Sequence, residues 1–241
     1  MRRDVFDALQ AARAAKRAAV LVTELGSGHQ VLLDDGGKAL AGDLPAAPGL
    51  VASAEAALAA DQSQRSQDGH HFLQVFGSPW RVIVIGAVHI AQALVPMAQL
   101  LGYEVTVIDP RRAWASEARF PGVTLTHDWP DEALTALKPD RRTAIVALTH
   151  DPKLDDPGLT LALASPAFYV GALGSKRTHE KRRERLAESG VSAEAFARID
   201  GPIGLHIGAK SPAEIALSIL GKVTAVRRQQ QQPPTRQEPA A

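Results

Sequence analysis

The sequence predicts an α/β protein: a parallel sheet with helices on both faces, preceded by a small α+β domain. Three observations carry this. Beyond residue 79, short apolar runs at 82–85, 105–108, 143–148 and 167–170 alternate with stretches of helical periodicity. Apolar runs of this length without polar alternation suit strands buried on both faces. Before residue 78 the pattern differs, with Asp34-Asp35-Gly36-Gly37 set between two short apolar runs as in an antiparallel hairpin.

Taken in order, residues 4–17 are rich in alanine and leucine with interspersed basic residues and read as a helix. Residues 19–23 read as a strand. Val31-Leu32-Leu33 and Lys38-Ala39-Leu40 are the arms of the hairpin. Residues 49–60 form a second alanine-rich helix, 61–69 a polar loop, and 71–76 an apolar, aromatic strand. Gly77-Ser78-Pro79 breaks the chain, so the first domain is 1–78 and the second 79–228. In the second, strand 82–85 leads to helix 88–101 and strand 105–108. A short strand at 123–125 and a short helix at 130–137 follow. Strand 143–148, helix 159–164, strand 167–170, the highly charged helix 176–188 and a helical stretch 193–198 come next, and helix 212–228 closes the domain. Residues 229–241 are polar and proline-rich and are expected to be disordered.

Composition narrows the functions. With 45% apolar residues the 241-residue chain builds a buried core, and a net charge of +1 gives no global attraction to nucleic acid. Aromatic residues are only 5%, too few for a single-strand stacking platform. No stretch approaches the roughly 18 apolar residues of a membrane span, and Met1-Arg2-Arg3-Asp4 does not open a signal peptide, so a cytoplasmic location is expected. There are no cysteines, which excludes disulfides, thiolate ligands and sulfur carried covalently on these residues. No metal site is expected.

Four turns carry the chemistry, each after an apolar run and before a helix, so a parallel sheet brings them to one edge. The first is Gly86-Ala87-Val88-His89-Ile90-Ala91, a G-x-G-x-x-A pattern with valine at the second glycine. Gly86 allows the sharp turn, Ala91 close helix packing, and His89 a donor at the helix start, whereas Val88 obstructs the closest approach of a pyrophosphate. Asp109 ends the next strand at the spacing of a carboxylate that accepts from a ribose, and Arg111 and Arg112 point to an anionic ligand. The bland alternative is a Rossmann-like unit without a ligand.

The second turn is Leu148-Thr149-His150-Asp151, where His150 and Asp151 are candidates for acid, base or ligand roles. The alternative is a helix cap, with Asp151 capping and Pro152 in the first turn. The third, Gly171-Ala172-Leu173-Gly174-Ser175-Lys176-Arg177, presents glycines, a helix start and two cations to an oxyanion. The charges that follow, Lys181 to Arg185, read as a solvated helix face. The fourth is Gly208-Ala209-Lys210-Ser211-Pro212-Ala213-Glu214. Ser211 and Glu214 form a capping box, leaving Gly208 and Lys210 as the anion-facing candidates.

These turns, in this order, resemble the XdhC/CoxI family of xanthine dehydrogenase accessory proteins. The matching segments are V-I-G-A-V-H-I-A-Q-A-L at 84–94, V-I-D-P-R at 107–111, L-T-H-D at 148–151, Y-V-G-A-L-G-S at 169–175 and I-G-A-K-S-P-A-E-I-A-L-S-I at 207–219. The resemblance covers roughly 80–225. It implies a Rossmann-like domain that binds the molybdenum cofactor, assists its sulfuration by a cysteine desulfurase and inserts it into a molybdenum hydroxylase apo-enzyme. Two departures stand out. The family usually has glycine where Val88 stands, and of the longer members' Gly-Ser-x-Pro-Arg segment only Gly26-Ser27, followed by Gly28-His29, remains. A paralogous subunit or a homodimer is the expected supplier of the missing part. The expectation is therefore a non-catalytic chaperone with the molybdenum cofactor as cargo, set against an NAD(P)-dependent oxidoreductase using the same edge. Its cofactor-binding candidates are Gly86, His89, Asp109, Arg111, Thr149, His150, Gly171, Gly174, Ser175, Lys176, Gly208 and Lys210.

Overall fold

The structure, a computed structural model, describes residues 1–231. The chain divides into two compact units, one of residues 1–78 with the chain's end from Arg228, the other of residues 79–227.

The first unit holds α1 (Arg3–Ala14), β1 (Ala19–Glu24), β2 (Gln30–Asp34), β3 (Ala39–Gly42), α2 (Pro48–Ala59), β4 (Gln64–Arg65) and β5 (His71–Phe76). Its antiparallel sheet runs β3-β2-β1-β5-β4. The central strand β1 is buried on both sides, and its period-2 alternation divides the core. Ala19 and Leu21 meet Val5, Leu9 and Ala12 of α1, whereas Val20 and Val22 meet Leu50, Ala54 and Ala57 of α2. The hairpin forms where the Asp-Asp-Gly-Gly signal lies, with Asp34 accepting from the Gly36 and Lys38 amides. Strand β4 falls in the stretch read as loop. It is two exposed polar residues held by main-chain pairing to β5, so no apolar pattern announces it.

The second unit holds β6 (Arg81–Ile85), α3 (His89–Leu100), β7 (Glu104–Ile108), β8 (Thr124–Thr126), α4 (Pro130–Leu137), β9 (Thr143–Ala147), α5 (Pro152–Ala164), β10 (Tyr169–Ala172), α6 (Lys176–Glu188), α7 (Ala193–Phe196), β11 (Ile199–Asp200) and, up to Arg227, α8 (Pro212–Gln231). Its six strands are all parallel, in the order β11-β10-β9-β6-β7-β8. Alternation along β6 again assigns the faces. Val82 and Val84 share a core with Leu94 and Ala98 of α3 and Ile219 and Val223 of α8. Ile83 and Ile85 pack with Leu134 of α4, Leu159 and Leu163 of α5 and Leu186 of α6. Helices thus cover both faces.

Three elements of this unit have bounds shifted from the sequence reading, and β11 has no counterpart in it. Helix α5 begins at Pro152 rather than 159, because Asp151 caps it by accepting from the Lys153 amide and Pro152 takes the first turn. Strand β10 lies two residues later than expected, which places Gly171 inside it. Helix α8 runs to Gln231, three residues into the segment read as a tail from 229; residues 232–241 lie outside the described residues.

Candidate functional site

Strand order reverses at β6, whose successors β7 and β8 lie on one side and β9 to β11 on the other. A parallel sheet wound this way opens a crevice at the carboxyl ends of the two strands flanking the reversal, here β6 and β9. The two turns at that point touch. Gly86 has φ +107°, and a Cβ there would stand 2.4 Å from Thr149 Cγ2. Only glycine fits both the backbone and the space. The Gly86 amide donates to the Ile108 carbonyl at 2.8 Å and the Leu148 amide to the Ile85 carbonyl at 2.9 Å, so three strand ends are locked together. Val88 stands at the N-cap of α3 and offers no side-chain acceptor, leaving the first-turn amides facing the crevice without an internal cap. His89 opens the helix and is exposed.

Asp109 is fully buried, and both of its oxygens are engaged. Oδ2 accepts from the Ala87 amide at 2.8 Å and from Arg111 Nη2 at 2.7 Å, and Oδ1 accepts from Arg111 Nε at 2.8 Å and the Arg111 amide at 3.0 Å. Burial pushes this carboxyl up, but the guanidinium and the two amides outweigh it and hold it below the usual aspartate value. Asp109 therefore works on the protein itself, fixing the first turn and the Arg111 side chain. The half-exposed Arg111 guanidinium lies 4.6 Å from the centre of the Trp114 ring and feels the charges of Asp151 and Asp155 across the crevice.

At the β9 turn, Thr149 Oγ1 donates to Asp155 Oδ1 at 2.6 Å and accepts from the Asp151 amide at 3.0 Å, and the His150 amide donates to Asp155 Oδ2 at 3.1 Å. His150 takes φ +63° with its ring exposed. Asp151 serves the helix as its cap, the alternative weighed from the sequence. Beneath the turn lies a buried ion pair that sequence reasoning missed: Arg182 Nη2 is 3.6 Å from Asp155 Oδ2 and donates to the Leu173 carbonyl at 3.0 Å. Arg182 sits in a run of charges otherwise exposed or half-exposed. Its one signal is a spacing of four from Leu186, the other buried residue of α6.

The third turn joins this network through Leu173. Ser175 caps α6 by accepting from the Thr178 amide at 3.1 Å, and Lys176 and Arg177 stand exposed in the first turn. Gly174 takes φ +146°. Gly171 has a different job: inside β10, the place of its missing side chain is filled by Ile203 and Tyr169. In the fourth turn Glu214 Oε2 accepts from the Ser211 and Lys210 amides at 2.8 Å, completing the capping box. That carboxylate supplies the N-terminus of α8 with its own anion. Gly208 and Lys210 lie exposed on this outermost connection, two strands away from β9. In the first unit, the turn at Gly26-Ser27 is tied down by a Ser27–Glu24 hydrogen bond and by His29 Nδ1 at 2.9 Å from Asp43 Oδ2.

Elsewhere, an open depression of about 820 Å³ lies on the helix layer, lined in part by Asp131, Glu132, Asp156 and Leu161. Its charge is opposite to what an anion needs. Among the described residues no group of three or more His, Asp or Glu side chains is placed to hold a metal ion, and no helix is long and apolar enough to cross a membrane.

The turns and their order find a counterpart in known proteins. Residues 82–223 match the XdhC Rossmann domain. The chain belongs to the XdhC family. Among curated relatives of this XdhC chain, the Escherichia coli K12 protein YqeB is 33% identical over 160 residues, 65% of this chain and 29% of YqeB. The molybdenum cofactor insertion chaperone PaoD of the same organism is 32% identical over 152 residues, 63% of this chain and 42% of PaoD. A Bacillus subtilis strain 168 protein described as a probable xanthine dehydrogenase subunit is 28% identical over 163 residues, 67% of this chain and 47% of that protein. The XdhC chain thus aligns with less than half the length of these relatives. Its fold is similar to that of a structure described as a xanthine dehydrogenase from Bacillus halodurans, with TM-score 0.72 and 22% identity, covering 96% of this chain and 65% of that one.

Proposed function

We propose that this XdhC chain is a non-catalytic, cytoplasmic accessory factor that binds the molybdenum cofactor and delivers it to a xanthine dehydrogenase-type molybdenum hydroxylase. One observation supports this most: at the switch point of an XdhC Rossmann domain, helix N-termini and fixed or exposed cations meet at one edge. The cargo's phosphate suits the uncapped first turn of α3, the Arg111 guanidinium and Lys176. Thr149 and His150 are then the groups that orient polar atoms of the pterin, with Gly174 and Ser175 shaping the far wall. Lys210 contributes from the outer connection. Because these 241 residues hold no cysteine, sulfuration of the cargo falls to a cysteine desulfurase partner, with this chain sheltering the cofactor meanwhile. A paralogous XdhC-type subunit or a second copy of the chain is the further partner in this reading.

The alternative, an NAD(P)-dependent oxidoreductase, draws on the same topology. It is weakened by Val88 at the second glycine and by Asp109, whose oxygens are already engaged by Arg111 and Ala87. The test is to incubate the purified protein with released molybdenum cofactor, measure retention on gel filtration, and then measure activation of an apo-hydroxylase. Retention at micromolar concentration and transfer are expected. No retention, alone or with a paralogous subunit, refutes the reading. Micromolar binding of NAD or NADP by calorimetry in its place favours the oxidoreductase.

A further inference from the structure

Asp155 and Arg182 are both fully buried, so their placement has to be explained by what they touch. The Asp155 carboxylate holds the β9 turn from below, taking the Thr149 hydroxyl on one oxygen and the His150 amide on the other. That grip keeps His150 in the left-handed region, which a non-glycine residue enters at a cost. The same carboxylate would put an uncompensated negative charge directly under the crevice. Arg182 reaches it from α6 and, with its Nη2 donating to Leu173, also ties down the approach to the Gly174-Ser175-Lys176 turn. The Arg182 Nε and Nη1 atoms are buried without hydrogen-bond partners. A guanidinium so incompletely satisfied is a poor contributor of hydrogen bonds. Its contribution is positive charge and a simultaneous reach to two turns.

We propose that Asp155 and Arg182 are positioning residues of the crevice, Asp155 setting the shape of the β9 turn and Arg182 cancelling its charge so that an oxyanion can bind above. The inference rests on the anionic-cargo reading. Other charged groups face Asp155 as well: Arg111 from the β7 turn and Arg185 from α6 interact with it, and Asp151 and Asp156 flank it on its own element. Among them only Arg182 approaches Asp155 within salt-bridge distance in the described residues.

The experiment uses the full chain and sulfate, a dianion whose charge is constant between pH 5 and 8. In Arg182→Met the unpaired Asp155 carboxylate opposes the anion, so sulfate affinity at pH 7.5 falls at least about ten-fold. The deficit shrinks as pH falls and Asp155 takes up a proton. The neutral pair Asp155→Asn/Arg182→Met recovers to within about three-fold of wild type, and it stays measurable if the single variant fails to fold. Wild-type affinity and an unchanged pH profile in Arg182→Met overturn the proposal, as does a double variant as weak as the single one. Hydrogen exchange at the His150 amide separates this from the cargo reading, because it needs no ligand. Exchange at least about ten-fold faster in Asp155→Leu/Arg182→Met, which removes the acceptor of that amide without leaving a buried charge, supports the positioning role of Asp155, and unchanged protection overturns it with the cargo reading intact. A wild-type chain that retains neither sulfate nor cofactor refutes the cargo reading and the charge-cancelling role together.

Discussion

Gly86→Ala is the substitution on which the geometry of the crevice can be tested most directly. Two penalties arise. At φ +107° an alanine is strained, at a cost of about 1–3 kcal/mol. Its Cβ would also stand 2.4 Å from Thr149 Cγ2 and 3.3 Å from the Thr149 amide nitrogen. Carbon atoms rest at about 3.5–4.0 Å, so the β6 and β9 turns must part by about 1 Å, which for overpacking of this kind costs about 1–3 kcal/mol. The sum is roughly 2–6 kcal/mol. The two parts separate in a cycle with Thr149→Ser, which removes the Cγ2 methyl but keeps the hydroxyl bonded to Asp155. Against the serine background the alanine should cost about 1–2 kcal/mol less. Urea unfolding followed by tryptophan fluorescence is the assay. Trp80, Trp114 and Trp129, the three tryptophans of the chain, all lie in the second unit, so the signal reports that unit alone. A Gly86→Ala penalty below about 0.5 kcal/mol, or no relief from Thr149→Ser, refutes the claim that these turns are in contact.

Arg111→Ala leaves Asp109 buried and unpaired, and should destabilise the second unit by about 2–4 kcal/mol at pH 7. Because Arg111 and its neighbours hold the Asp109 carboxyl below the ordinary 3.8, the wild-type contribution is present above that value and is lost as pH falls through the lower folded one; the gap between variant and wild type in fluorescence-detected unfolding should therefore narrow as pH falls below 3.8. Tyr169→Phe removes the 2.6 Å bond to Asp200 Oδ2 and should cost about 1–3 kcal/mol in the same assay. Burial, then the Asp200 carboxylate, raises the Tyr169 phenol above its ordinary 10.0, so alkaline titration at 295 nm should leave this one of the two tyrosines protonated until the fold opens. Glu214→Ala should speed hydrogen exchange at the Lys210 and Ser211 amides at neutral pH. Those amides lower the Glu214 carboxyl from 4.5, so the difference should vanish as pH falls through its depressed folded value.

The sheet of the second unit was legible because its strands are unbroken apolar runs, and runs of that kind have few other homes. The turns at Gly86 and Thr149 were legible for the same reason, since each ends such a run. The capping box at Ser211 and Glu214 forms as its spacing predicts. Other elements left no local trace. Strands β4 and β11 are two residues each, and pairing with neighbours defines them. The first turns of α5, Pro152 to Asp156, are mostly polar because Asp155 points into the protein toward Thr149 and Arg182, so an apolar count starts that helix too late. Gly171 read as a turn glycine because it precedes Gly174, although Ile203, distant in sequence, is what requires it. A partner 27 residues away likewise hid the charge pair of Asp155 and Arg182.

The end of β7 shows how one frame can serve ligands of opposite demand. In a dinucleotide-binding sheet the carboxylate there accepts from ribose hydroxyls, and the second glycine of the first turn admits a pyrophosphate. Here the carboxylate sits at the expected place, but it accepts from the Ala87 amide and grips Arg111 through two side-chain bonds. What meets the crevice from this strand is consequently a cation held in a fixed pose, the arrangement in which an arginine loses least entropy on binding an oxyanion. Val88 fits the same logic. A side chain at the N-cap narrows the approach for a pyrophosphate, while the first-turn amides of α3, with no side-chain cap, remain available to a single anionic group. Asp109 and Val88 are each a defect when judged by the dinucleotide pattern; on the proposed reading of a molybdenum cofactor cargo, they are instead the features that suit a single phosphate group at the switch point.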